Sequence, residues 1–161
     1  MTQTRMFQPE AEADDELGLM VMLLDLQDAA PPIIRLRDWA LGLTQPQPGE
    51  GVLDVGSGTG TMTRTLAALV SPEGRATGVE PDPKLRELAA NRVASVPGAG
   101  FVDGLAADLP VADGSVDLLW CERVLQHLAD EVVRAVQSAA EAGHAYSAAT
   151  MFGFVLHKPA A

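Results

Sequence analysis

The sequence is poor in sulfur chemistry and in positive charge. Cys121 is the single cysteine, which excludes an internal disulfide and fits a reducing cytosol, so a cytoplasmic location is expected. Lys and Arg number 11 against 22 Asp and Glu, for a net charge of −11. No basic stripe is available to neutralise phosphates, which argues against nucleic acid as a partner and equally disfavours docking on an anionic membrane surface. The longest apolar run, Leu17 to Leu24, falls far short of the ~20 residues that span a bilayer. The first 16 residues carry five acids and one arginine, the reverse of a secretory signal. None of the three histidines or the cysteine stands at metal-ligand spacing. There is no internal repeat and no low-complexity tract.

What is present is enough for one domain. The 161 residues are 47% hydrophobic, and a chain of this size buries on the order of 70% of its unfolded surface. Residues 1 to about 14 read as a loose polar segment. Leu17 to Ala29 reads as a buried or lid helix that Pro31 and Pro32 end, and Ile33 to Leu43 as a second helix. Gln45 to Gly51 is a loop. A first strand over Val52 to Val55 is followed by a helix from about Thr59 to Val70, a turn over Ser71 to Gly74 and a second strand over Arg75 to Glu80. Asp82-Pro83 starts a helix running to about Val96. Phe101 and Val102 mark a short third strand, and Val116 to Trp120 a fourth. This alternation predicts a parallel sheet with right-handed crossovers. Asp130 to Ala142 reads as a helix closed by Gly143, and Tyr146 to Lys158 as a single strand.

Val52-Leu53-Asp54-Val55-Gly56-Ser57-Gly58-Thr59-Gly60 carries the chemistry. A short apolar strand ends in a glycine loop that opens a helix, the nucleotide-binding corner of a doubly wound fold. Such a loop lets a ligand approach the backbone, and the helix aims free N–H groups at it. A dinucleotide fingerprint would put its third glycine at Thr61, whereas here it is Gly60. The Lys-Ser/Thr pair of a triphosphate loop is missing. Asp54 would repel a pyrophosphate and attract a cation. S-adenosylmethionine, with an ammonium, a sulfonium and no phosphate, meets that description. Glu80 follows Gly60 by 20 residues, the spacing of a ribose-binding acid.

These segments resemble the motifs of class I S-adenosylmethionine-dependent methyltransferases. Val52 to Gly60 is similar to the first motif. Gly78-Val79-Glu80-Pro81-Asp82 is similar to the end of the second strand, Ala107-Asp108-Leu109-Pro110 to the loop after the third, and Ser115 to Cys121 with Glu122 to Leu128 to the fourth strand and the segment after it. The likeness covers roughly residues 17 to 130 and is closest to the small-molecule branch that includes the ubiquinone and menaquinone biosynthesis enzymes. It implies a Rossmann-like α/β fold with strand order 3-2-1-4, shortened, with an antiparallel C-terminal strand. Within one domain it implies an N-terminal helical lid region over 1–45, a cofactor-binding core over 46–130 and a C-terminal helix and strand over 131–161. It further implies an S-adenosylmethionine site built from Asp54 near the methionine ammonium, Gly56, Ser57, Gly58 and Gly60 in the loop, Glu80 with Pro81 on the ribose, Asp108 with Leu109 on the adenine, and Cys121 beside the methyl.

Methyl transfer from a sulfonium asks for orientation and a dry approach more than for a catalytic triad. Cys121 is therefore expected to be an apolar wall and not a nucleophile, and His127 is a weak candidate for a general base. Met6, Met20 and Met22 read as packing. The family's fifth and sixth strands and its substrate-covering insertion are not found between Asp130 and the tail. A deletion there would leave an apolar edge on the fourth strand. That edge is expected either to pair with the tail strand or to support a homodimer. The reading is then methyl transfer to a small, partly apolar acceptor. The alternatives are a non-catalytic S-adenosylmethionine-binding module and, more distantly, a nicotinamide oxidoreductase.

Overall fold

The computed structural model describes residues 9–124, 146–148 and 153–157. The Val-Leu-rich run after the Gln45–Gly51 loop forms β1, Gly51–Val55. Its period of two sends Val52 and Asp54 to one face of the sheet and Leu53 and Val55 to the other. β2, Arg75–Val79, lies parallel on one side of β1, with Val52 opposite Ala76. β4, Leu118–Glu122, lies parallel on the other side, with Val52 opposite Leu118. β3, Ala99–Val102, adds beyond β2. The crossovers are α3, Thr61–Val70, and α4, Pro83–Arg92. The chain thus moves outward through β2 and β3, then returns past β1 to β4, and the sheet reverses direction of growth between β1 and β4. A ligand crevice is expected outside the carboxyl ends of the strands at that point.

The sheet has the order β3-β2-β1-β4-β6-β5 among the described residues. The expected strand order 3-2-1-4 is present. The single tail strand is not: Tyr146–Ala148 and Gly153–His157 are two strands, β5 and β6, paired antiparallel as a hairpin. An unbroken run of strand-forming residues does not reveal where it folds back. β6 pairs antiparallel with β4, from Leu118 opposite His157 to Glu122 opposite Gly153, so the chain covers that edge itself. The expected helix over Asp130 to Ala142 lies outside the described residues.

Element ends also move from their expected places for local reasons. α1, Pro9–Asp28, begins inside the segment read as loose. Proline at the first helical position followed by acids suits a helix start. α3 begins at Thr61 because Gly60 holds φ of 82°. α4 stops at Arg92, since Pro97 disfavours helical backbone at Val96. Its start is as expected: Asp82 Oδ1 accepts from the Lys84 and Leu85 N–H groups at 2.8 and 3.1 Å. β4 begins at Leu118 because Asp117 is spent on Gly51, its N–H donating to the Gly51 carbonyl and its carboxylate accepting from the Gly51 N–H.

Two apolar layers flank the sheet. Val52, Ala76, Leu118 and Trp120 pack against Leu66, Ala67 and Val70 of α3. Leu53, Val55, Val79 and Cys121 pack against Leu109, Val111 and Leu119. Leu53, Leu66 and Leu118 are wholly buried, so truncating any of them to alanine costs about 2–5 kcal/mol. α1 and α2, Pro31–Thr44, differ from this core. Leu19, Met22, Leu23 and Leu26 on α1 and Trp39 and Leu43 on α2 are each about half exposed. Among the described residues no single helix is long and apolar enough to cross a membrane; Asp15–Asp28 and Pro31–Thr44 reach that composition only as a pair bent by 63°.

Candidate functional site

The loop after β1 is built by its glycines. Gly56 and Gly58 hold φ of 70° and 52°, conformations that favour glycine. The Gly56 and Ser57 N–H groups donate to the Val79 carbonyl at 2.9 and 3.1 Å, tying the loop to the end of β2. Glu80 completes the tie. Its Oε2 accepts from the Gly58 N–H at 2.9 Å and its Oε1 from the Asp82 N–H at 3.0 Å. The carboxylate is buried, yet each oxygen keeps a further lone pair for a ligand hydroxyl.

A cavity of about 460 Å³ opens at this corner. Its floor is Asp54, Gly56, Ser57 and Gly58. Glu80, Pro81 and the backbone turn Gly104–Ala107 form one wall. Arg37, Glu122 and Arg123 form the other, and Met20, Leu24 and Asp28 of α1 form the roof. Leu24 Cδ1 lies 3.8 Å from where a Cβ on Gly58 would stand.

Asp54 sits under this cavity, 3% exposed, with Oδ2 accepting from the Thr63 hydroxyl of α3 at 2.6 Å. Burial pushes its carboxyl up to about 7, and the charge of Glu122 adds to the rise, while the Thr63 hydrogen bond and Arg37 oppose it. A carboxyl so placed is half neutral near neutral pH and gains from a cation brought beside it. The Ser57 Oγ, also buried, has no hydrogen-bond partner among the described residues.

Four charges close the far wall. Arg37 Nε donates to Glu122 Oε2 at 2.7 Å and its Nη2 to Asp28 Oδ1 at 2.7 Å. Arg123 Nη2 also donates to Asp28 Oδ1, at 2.8 Å, and Arg123 Nε lies 3.1 Å from Glu122 Oε1. Arg123 holds φ of 60°, an unusual backbone for a long side chain. Both cations of the wall are thus committed to carboxylates. With Asp54 and Glu80 added, the cavity's acids outnumber its bases.

Asp54, Gly56, Ser57, Gly58, Glu80 and Pro81 come together around this cavity as the sequence suggests. Four others do not line it. Gly60 caps α3, and a Cβ there would stand 2.8 Å from Phe101 Cζ, so its glycine serves helix packing. Asp108 is exposed, its N–H donating to the Leu105 carbonyl, and the preceding residues Gly104–Ala107 line the cavity in its place. Leu109 packs in the apolar layer, as does Cys121, whose thiol burial pushes up to about 12, with Asp54 and Glu122 adding to the rise. His127 lies outside the described residues. The residues missed are Asp28 and Arg37. Their signal in the sequence is a charge set among the apolar residues of Leu17–Ala29 and Ile33–Leu43.

Residues 52–143 match the family described as a methyltransferase domain. Over 68 residues the chain is 44% identical to the protein-L-isoaspartate O-methyltransferase of Aeropyrum pernix, covering 42% of this chain and 26% of that protein. Over 77 residues it is 38% identical to the demethylmenaquinone methyltransferase of Symbiobacterium thermophilum, covering 46% and 31%. The chain therefore spans about a quarter to a third of the length of these curated relatives. In fold it is similar to a SAM-dependent methyltransferase from Aquifex aeolicus, with a TM-score of 0.58 at 15% identity over 86% of this chain and 95% of that one.

Proposed function

The chain belongs to the methyltransferase-domain family, and we propose that it binds S-adenosylmethionine in this cavity and transfers the methyl group to a small, partly apolar acceptor. The observation that carries the reading is the Glu80 carboxylate, fixed by two backbone N–H groups at the mouth of the glycine loop and facing the cavity beside Asp54. Two adjacent ribose hydroxyls would donate to its two oxygens, and the ligand's ammonium would pair with Asp54. The lining favours a cation and disfavours a pyrophosphate, because Arg37 and Arg123 are already neutralised by Asp28 and Glu122. This sets a nicotinamide dinucleotide aside.

When bound, the sulfonium supplies the electrophilic methyl group. The protein's part is placement. Gly56 and Gly58 allow close approach, and Glu80 and Asp54 fix the two ends of the ligand. The Leu105–Ala107 turn would border the base, and Leu24 and Met20 shield the site from water. The apolar side chains Met20, Leu24, Met62 and Leu105 suit an acceptor of mixed polarity. Transfer of labelled methyl to a panel of small phenols and quinols, set beside an isoaspartyl peptide, tests this. Label on the small acceptors is expected. Label only on the peptide contradicts the acceptor class, and binding without transfer makes the chain a cofactor-binding module.

A further inference from the structure

We propose that α1 is a gate over the cavity, held shut by charge and not by apolar burial, and that its opening sets how fast ligand enters and leaves. The second half rests on the cofactor reading above; the first does not. α1 roofs the site through Leu24, poised over Gly58. What holds it there is a set of ion pairs to three different elements. On one flank Asp25 takes both guanidinium ends of Arg92 from α4, at 2.6 and 2.8 Å. On the other, Asp28 takes Arg37 of α2 and Arg123 after β4, at 2.7 and 2.8 Å. Gln27 Oε1 accepts from Arg123 Nη1 at 2.7 Å.

Of the apolar side chains described on α1, Leu17, Val21 and Leu24 are half-buried and none is fully buried. Leu19, Met22, Leu23 and Leu26 are 49–61% exposed. A helix seated chiefly by apolar burial would expose fewer of them and bury its inward face fully. The left-handed backbone of Arg123 fits the same picture. It costs on the order of 1 kcal/mol or more and aims the guanidinium at Gln27, Asp28 and Glu122 together. Two of those three partners leave with α1. The hinge is the short break Ala29–Ala30 between α1 and Pro31, where Ala30 is extended at φ −68° and ψ 128°. The Asp25–Arg92 pair is the more exposed of the two anchors, with side chains 42% and 37% accessible, so it is the one that salt screens first.

Two readouts test the gate. The first is hydrogen exchange of residues 15–28 in the ligand-free protein, with α3 as the internal control for global folding. Raising NaCl from about 0.1 M to about 1 M shortens the screening length from about 10 to about 3 Å. That change is expected to speed α1 exchange on the order of fivefold to tenfold, with α3 unchanged. Asp25→Asn should do the same at low salt and blunt the salt response. The exchanged pair Asp25→Arg with Arg92→Asp should restore slow exchange. The second readout is the dissociation rate of S-adenosylhomocysteine, which should follow the exchange rate across these conditions. Exchange of α1 that ignores both salt and Asp25→Asn overturns the charge-held gate. If exchange responds but S-adenosylhomocysteine does not bind, the cofactor reading fails and the gate stands.

Discussion

Replacing Asp54 by asparagine should stabilise the ligand-free protein at mildly alkaline pH while weakening its cofactor affinity. The carboxyl is buried under the cavity and raised from 3.8 to about 7. A carboxyl whose folded value lies above its unfolded value binds its proton more tightly in the folded state. Folding stability from this group is therefore intact below the unfolded value, falls as pH rises from about 4 to about 7, and stays low above it. The full loss corresponds to roughly 4 kcal/mol. Asparagine keeps the shape and an acceptor for the Thr63 hydroxyl but never ionises. At about pH 8 it should recover about 2–4 kcal/mol, a rise of roughly 5–12 °C in Tm for a chain of this size. At about pH 3, below the unfolded value, the two proteins should melt alike, because Asp54 is then largely neutral in both its folded and unfolded forms. Calorimetric titration with S-adenosylhomocysteine should show the opposite trend. Wild-type affinity rises with pH up to about 7 as Asp54 ionises, and the variant loses at least tenfold along with that pH dependence. A variant that melts no higher than wild type at alkaline pH would refute the burial argument. A variant that binds as tightly as wild type would refute the role of Asp54 toward the ammonium.

Other consequences are quicker to check. Glu80→Ala should weaken S-adenosylhomocysteine far more than Asp108→Ala in the same titration, since Glu80 faces the cavity and Asp108 lies exposed outside it. Equal or reversed losses would mean that the ribose end has been misplaced. Gly58→Val should abolish binding without unfolding, as judged by circular dichroism, because a branched side chain at φ of 52° meets the ligand's approach and Leu24. Cys121 should resist maleimide in the native protein and react on denaturation, since its thiol is buried and pushed up to about 12. Rapid native labelling would contradict its burial.

The parts of this molecule written in local chemistry could be read from the sequence. The strand-to-glycine turn, the Asp82-Pro83 helix start and the acid at the end of β2 each depend on a few adjacent residues, and each stands where expected. What depends on distant residues could not be read. Arg37 and Glu122 are 85 residues apart in the chain, and nothing in either neighbourhood names the other. Gly60 reads as part of the ligand loop beside Gly56 and Gly58, yet it does not line the cavity. A Cβ there would meet Phe101 on β3, a contact that its own neighbourhood does not announce. Asp108 reads as the adenine acid from its motif, but exposure depends on how the turn folds, and here Asp108 is exposed while Gly104–Ala107 line the cavity. The tail failed for a different reason. A strand and a hairpin share the same residue preferences, so only the pairing of β5 with β6 distinguishes them.

The cavity between the glycine loop, Glu80 and α1 is the proposed S-adenosylmethionine site. Calorimetric titration of the folded protein with S-adenosylhomocysteine, with NAD as the comparison, tests it most directly. Saturable heat at one ligand per chain is expected for S-adenosylhomocysteine and none for NAD. A cooperative thermal melt that proves the protein folded, with no heat from S-adenosylhomocysteine up to millimolar concentration, would contradict it.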